Sequence, residues 1–260
     1  MTNEEYHKAD GISASDFRLL QESPLHLDNK DLFKLEGSQF TIGSLVHKMV
    51  LEPDTVEDEF CKEDFEGCDL NKNSKAYKEA KASWLESVGD RTVVSANDWR
   101  EAEKMANNVI AIAGGLLQNG NAEESFFVDD PIYNIRRKCR PDYYREDMKA
   151  CIDLKTTGDG TDWSFGSSLY KYNYFLQAAW YIDTLAMAGK DIETFIFITV
   201  ETKPPYMVRV RELNQTAIMV GRGKYEGMLN EYVAYKKSGI ADVVRGIDLP
   251  KYVYEEEMIA

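Results

Sequence analysis

The chain has 260 residues, 43% apolar and 29% charged, which can close a sizeable core and argues against wholesale disorder. Acidic residues outnumber basic ones 45 to 31, a net charge of −14. This argues against a protein that simply coats nucleic acid, because phosphate neutralisation drives such binding, and leaves room for a local basic groove or a site that recruits cations. No stretch approaches the ~18 apolar residues of a membrane span, and the start, MTNEEYHKADG, lacks the basic and apolar segments of a secretory leader, so a cytoplasmic location is expected.

Ser13-Ala14-Ser15-Asp16 is a capping box that opens a short helix through about Glu22, and Ser23-Pro24 stops it. Thr41 to Leu51 places Ile42, Leu45, Val46, Met49 and Val50 on one helical stripe, ended by Glu52-Pro53. Residues 53–72 are acidic and irregular and read as a loop. Helices follow over Ser74–Val88 and Ser95–Leu117, the second with Ala102, Met105, Ala106, Val109, Ile110, Ala113 and Leu117 in register. The period then changes. Glu124–Val128, Ile132–Tyr144 and Lys149–Thr156 read as strands, Tyr172–Ala188 as a helix closed by Gly189, Thr194–Val200 and Tyr206–Leu213 as strands, and Gln215 to about Lys237 as the last helix. The tail from Asp248 to Ala260 gives no clear signal. The expected organisation is one domain over 1–260, with a mostly helical part (1–120) leading into an α/β core (121–240). Cys61, Cys68, Cys139 and Cys151 form no CxxC pair and no metal-ligand spacing, so four free thiols are expected.

Chemistry concentrates in one hairpin. On the strand Lys149–Thr156, Asp153 and Lys155 share a face, while Ala150, Ile152 and Leu154 take the other. A turn near Asp147-Met148 sets Asp142 opposite Asp153, and residues so placed have Cβ atoms ~5 Å apart. Two carboxylates at that distance destabilise the hairpin unless something neutralises them, and a divalent cation such as Mg²⁺ does so. Lys155 beside such a metal is suited to orient or help deprotonate an attacking water and to stabilise the charge of a pentavalent phosphorus. Scattered solvated charges on an exposed hairpin share part of this pattern. The concurrence of an acidic pair, a lysine, an apolar opposite face and a preceding basic run, Arg136-Arg137-Lys138 and Arg140, favours a site. His47 lies roughly 130° from the centre of its helix's apolar stripe, at ~100° per residue, which fits a core histidine poorly. It is either an exposed histidine of no consequence or a metal ligand at a cleft edge. Gly221-Arg222-Gly223-Lys224 has the residues of a phosphate loop without the preceding strand, and reads as a turn opening the last helix. The aromatics Tyr170, Tyr172, Tyr174, Phe175, Trp180 and Tyr181 read mainly as core packing.

Pro141-Asp142 with Asp153-Leu154-Lys155 is the PD-(D/E)xK nuclease signature. The wider sequence resembles the RecE type of exonuclease, exodeoxyribonuclease VIII, through Ile12–Asp16 with Ser23-Pro24, Gly43–Pro53, Lys138–Asp142, Ile152–Thr157, Tyr174–Tyr181 and Val200–Tyr206. The long N-terminal extension of larger members is missing. The resemblance implies a restriction-endonuclease-like α/β fold, a central mixed β-sheet flanked by helices, with a helical N-terminal region supplying His47. It implies that His47, Asp142, Asp153 and the Leu154 carbonyl bind Mg²⁺, for which Mn²⁺ substitutes, and that Lys155 serves the attacking water. Gln177 and Tyr181, one helical turn apart, would stand beside the active site to contact DNA or order the lysine. Glu201, at a strand end near the same sheet edge, is as much a solvated terminus as a site residue.

The implied activity is 5′→3′ degradation of one strand at double-stranded DNA ends, leaving 3′ tails for a RecT-like annealing partner. Relatives work as homo-oligomeric rings, and a ring reconciles the negative chain with DNA if Arg136, Arg137, Lys138 and Arg140 line its inner surface. Two other classes compete. One is a different PD-(D/E)xK nuclease, an endonuclease or a CRISPR-associated enzyme, of which the iron–sulfur subclass lacks its clustered cysteines here. The other is a non-catalytic scaffold, whose mark would be loss of the lysine or an aspartate.

Overall fold

The computed structural model describes residues 1–33 and 42–240. Thr41, the expected start of the second helix, and the tail from Asp248 to Ala260 lie outside the described residues.

The first third is helical. An unanticipated helix α1 (Asn3–Lys8) starts at Thr2, whose hydroxyl accepts from the Glu5 amide. The Ser13 capping box forms as read, with the Ser13 amide donating to Asp16 at 2.7 Å, and leads through a 3-10 turn into α2 (Phe17–Glu22). Ser23-Pro24 ends α2 but also starts α3 (Pro24–Asp28), because proline is tolerated in a first helical turn. Helix α4 (Ile42–Leu51) follows. The expected loop at 53–72 instead holds α5 (Val56–Glu59) and β1 (Phe60–Lys62). A three-residue strand is too short to show a period. After α6 (Lys75–Val88), β2 (Thr92–Val94) pairs with β1 in parallel, and α7 (Ala96–Ala113) runs on, capped by Ser95.

The α/β core begins with β3 (Asn121–Ala122), β4 (Phe126–Asp130), β5 (Ile135–Cys139), β6 (Tyr143–Arg145) and β7 (Ala150–Thr157). The single strand read over Ile132–Tyr144 is therefore two strands. Pro141, which has no N–H to give a ladder, sits in the break, so that β5 forms a hairpin with β4 while β6 joins the main sheet. Helices α8 (Asp162–Lys171) and α9 (Tyr174–Met187), strands β8 (Thr194–Glu201) and β9 (Val208–Glu212), and α10 (Gln215–Ser238) complete it. Helix α8 has no counterpart in the sequence reading, since its polar, small-residue sequence DWSFGSSLYK shows no apolar stripe. Gly221–Lys224 lies inside α10 and opens no turn. The four cysteines are free, as expected.

The main sheet has the order β3-β6-β7-β8-β9, with β7 and β8 parallel and the other pairs antiparallel. Helices cover both faces, the mixed α/β architecture the sequence implied. Ala150, Ile152 and Leu154 of β7 join Ile196, Ile198 and Val200 of β8 against Leu45 and Val46 of α4 and Met105 and Val109 of α7. The opposite face sets Cys151, Phe195 and Phe197 under Leu176, Ala179 and Trp180 of α9. Strand β7 is therefore buried on both sides through Leu154, and the Asp153 carboxylate on it is held out of water.

Candidate active site

The register of β6 and β7 pairs Tyr143 with Ile152 and Tyr144 with Cys151, so one step further Asp142 stands across from Asp153, as the hairpin reading expected. Asp142 does not splay away. Its Oδ2 accepts the Leu154 amide at 2.8 Å, which fixes the carboxylate at the mouth of the ladder. Helix α4 brings His47 up to it, with Nδ1 3.5 Å from Asp142 Oδ2, and the ring also hydrogen-bonds the backbone of Leu154.

Asp153 is 1% exposed. Its Oδ1 accepts from Lys155 Nζ and from Gln177 Nε2, each at 2.8 Å. Its Oδ2 lies 2.7 Å from the Lys155 ammonium but takes no well-directed hydrogen bond of its own. The Lys155 ammonium also sits 5.0 Å from the centre of the Tyr174 ring. His47, Asp142, Leu154, Asp153, Lys155 and Gln177 therefore converge from α4, the start of β6, β7 and α9.

One member was missed. Glu123 follows the two-residue strand β3, donates its amide to the Asp142 carbonyl and accepts Arg140 Nε at 2.7 Å. Among the described residues His47, Glu123 and Asp142 each present a ligand atom, all within 4.8 Å of one another. Nothing in the sequence near Glu123 signals this, because β3 is too short to read and its pairing to β6 is long-range.

The electrostatics are those of a site suited to a cation. Burial pushes Asp153 up to about 7, aided by Asp142 and opposed by Lys155. Burial and the Asp142 charge raise Glu123 to about 7 against the pull of Arg140. Burial lowers His47 more than Asp142 raises it, leaving a neutral imidazole with a lone pair to give. Burial alone would lower Lys155, but Asp153 and Asp142 outweigh it and hold the lysine above its ordinary value. Lys155 is therefore a cation here, fit to stabilise negative charge. Carboxylates forced upward beside a neutral histidine are a donor set that a divalent metal fits, since a hard cation takes oxygen ligands and imidazole and removes the repulsion.

The other expected site residues divide between the site and the scaffold. Tyr181 packs its ring 6.3 Å from Phe195, and its hydroxyl is pushed well above its ordinary value by burial and, within electrostatic reach, by Asp142 and Asp153, so it stands beside the site as expected. Arg137 and Lys138 are not offered to a DNA backbone. Arg137 is 2% exposed, bonds Asp130 through Nε at 2.6 Å and stacks 4.3 Å from Trp180. Lys138 is 3% exposed and donates to the carbonyls of Tyr6 and Ala9, tying down the N-terminus. Arg140 is spent on Glu123 and Ser125. Only Arg136 of the run is exposed, lying over Phe127. Strand alternation explains the difference poorly, because β5 is covered by α9 on one side and by the N-terminal segment on the other. Glu201 accepts the Gly160 amide at 2.9 Å and braces the turn between β7 and α8.

Residues 13–243 match the family of PDDEXK-like domains of unknown function (DUF3799). No curated protein matches significantly. Among solved structures, a candidate exonuclease from Eubacterium rectale superposes with a TM-score of 0.60 at 14% identity, covering 96% of this chain and 95% of that one. A phage-related exonuclease from Haemophilus somnus gives a TM-score of 0.35 at 12% identity over 64% of this chain and 89% of its own. An alkaline exonuclease from Laribacter hongkongensis gives 0.32 at 14% over 65% and 87%. With the family match over most of its length and the full signature assembled on the fold, this chain belongs to the PDDEXK-like family and is an enzyme of the PD-(D/E)xK nuclease class.

Proposed function

We propose that this nuclease is a divalent-metal-dependent exonuclease that degrades one strand of linear duplex DNA in the 5′→3′ direction and leaves 3′ single-stranded tails for recombination by strand annealing. The observation that carries the reading is convergence. Four segments that resemble the RecE type, the stretches containing His47, Asp142, Asp153 to Lys155 and Gln177, meet around two neighbouring carboxylates: His47 and the Leu154 amide at Asp142, Lys155 and Gln177 at the buried Asp153.

On this reading His47, Asp142, Asp153 and the Leu154 carbonyl hold Mg²⁺ or Mn²⁺, with Glu123 closing the set. Such an ion, when bound, supplies a Lewis acid for the phosphate oxygens and a water of lowered pKa. The chain's own groups do the rest. Gln177 fixes the rotamer of Asp153, and Lys155, kept cationic by two carboxylates, stabilises charge that builds on the phosphate. The Leu154 amide holds Asp142 in place beside His47. The same reading carries a ring of copies around the DNA, a RecT-like annealing partner and a bacterial or phage-infected cytoplasm. A non-catalytic scaffold gives no reason to bury Asp153 or to set Glu123, Asp142 and His47 within ligand reach of one another.

The test is digestion of linear duplex DNA labelled at the 5′ or the 3′ end, with Mg²⁺ or with EDTA, beside a covalently closed circle. Early release of the 5′ label, an intact circle and no reaction in EDTA are expected. Nicking or cutting of the circle makes the enzyme an endonuclease, and early release of the 3′ label reverses the polarity.

A further inference from the structure

Four large aromatic side chains are exposed among the described residues: Phe33 at 42%, Trp163 at 85%, Tyr170 at 76% and Tyr172 at 55%. Three of the four belong to α8 and the turn that follows it. A scattered exposed aromatic needs no explanation, but a concentration in one place does. Trp163 and Tyr170 are seven residues apart, two helical turns, so they stand on one face of α8.

The turn at the end of this helix leads back to the site. The Lys155 ammonium lies 5.0 Å from the Tyr174 ring, the Tyr174 ring is 5.5 Å from that of Tyr172, and the Lys171 ammonium lies 5.2 Å from Tyr172. On the other flank of the turn, Tyr170 stacks parallel to Phe175 at 6.4 Å, and Lys224 of α10 sits 5.9 Å from Tyr170 and 5.5 Å from Phe175. Beside this second pair opens a groove of about 480 Å³ floored by Leu169, Phe175, Leu213, Ala217 and Val220. Rings and ammonium groups thus line both flanks of the turn, and the Tyr172–Tyr174 flank reaches the catalytic lysine.

We infer that α8 and the α8–α9 turn form a stacking platform for unpaired DNA bases, on which the strand next to the scissile phosphate is held as it enters or leaves the site. The inference rests on the nuclease reading above. Unpaired bases offer flat faces to Tyr172, Tyr170 and Trp163, and their phosphates suit Lys171 and Lys224. This chemistry also answers the charge problem. A chain of net charge −14 gains little from bulk attraction, whereas stacking with a few local cations needs no basic surface. A docked protein is the competing occupant, but it would leave the pairing of exposed rings with ammonium groups, and the link from Tyr172 through Tyr174 to Lys155, without a role.

The test uses a short single strand carrying 2-aminopurine, bound to the full chain with Ca²⁺ in place of Mg²⁺. Wild type should quench the base on binding. Tyr172→Ala and Tyr170→Ala should each lose quenching and bind about tenfold more weakly, in line with the loss of one stacked base. Tyr172→Phe should retain both. Thermal melts check that each variant is folded. Alanine variants that quench and bind like wild type overturn the platform while leaving the nuclease reading intact. So do variants that change the sedimentation of the protein but not its grip on the strand, since that marks a protein contact. A wild-type protein that neither binds nor cuts any DNA takes both readings down together.

Discussion

Gln177 and Lys155 reach Asp153 Oδ1 from opposite directions, each at 2.8 Å, one from α9 and the other from the same strand two residues on. The carboxylate is thereby locked in one orientation while its second oxygen stays without a directed hydrogen bond. Gln177→Ala should release this lock. Loss of such an outer partner typically lowers metal affinity or activity by about 10- to 100-fold, and that is the expected drop in DNA hydrolysis. Gln177→Glu should be worse, because it adds a carboxylate beside Asp153. Steady-state rates with a metal titration for each variant check both statements, and a wild-type rate from Gln177→Ala contradicts the role.

Asp153 and Glu123 sit near 7 in the metal-free fold, against ~4 in an unfolded chain. Between those values the folded state holds protons that the unfolded state has released, so these two groups make stability fall as pH rises from about 4 to 7. Their contribution is complete below pH ~4 and gone above ~7. Metal binding competes with the same protons, so stabilisation by Mn²⁺ or Mg²⁺ should grow from about pH 5 to about pH 8. Melting curves at both pH values, with and without metal, read this directly. Asp153→Asn and Glu123→Gln should each flatten the metal-free pH dependence and shrink the metal-linked shift. A metal shift equal at the two pH values contradicts the assignment.

How much of this was legible in the sequence depends on which interactions are local. Strand β7 was readable because alternation put Asp153 and Lys155 on one side of a run whose other side is wholly apolar, and the hairpin partner Asp142 followed from register. His47 was readable from its angle off an apolar stripe. Glu123 was not, because its place depends on two residues of β3 finding β6. Helix α8 was not, because its core contact is made mainly by Phe165 while its largest side chain faces solvent. The basic run misled for a related reason. Charge in a sequence does not say whether it faces water or a buried carboxylate, and the Arg137 partner, Asp130, lies across a turn on the neighbouring strand.

That correction carries its own expected outcome. Arg137 and Asp130 form a buried pair with side-chain exposures of 3% and 0%. Arg137→Met strands the Asp130 charge and should destabilise the protein by about 3–5 kcal/mol. Adding Asp130→Asn should recover part of the loss, since the amide oxygen can still accept the Ile132 and Tyr133 N–H groups. Chemical denaturation of the single and double variants measures it. A single variant as stable as wild type, with weakened DNA binding, would restore the surface role.

Helix α10 meets α9 at Gly221, where an added Cβ would stand 2.2 Å from the Phe175 carbonyl oxygen. Gly221→Ala should push the helices apart and cost about 1–3 kcal/mol, as overpacking does. Gly223, two residues on, would have nothing within 4 Å of an added Cβ, and Gly223→Ala should be neutral or stabilising by up to about 1 kcal/mol through helix propensity. Melting temperatures of the pair check this close approach.

The most direct test of the account is hydrolysis of linear duplex DNA by wild type, Asp153→Asn and Lys155→Met in the presence of Mg²⁺, with the fold of each variant verified by its melting curve. The account expects metal-dependent degradation by wild type and background rates from both variants, each still melting cooperatively. Degradation by folded Asp153→Asn at the wild-type rate would contradict it and place the chemistry elsewhere on the protein.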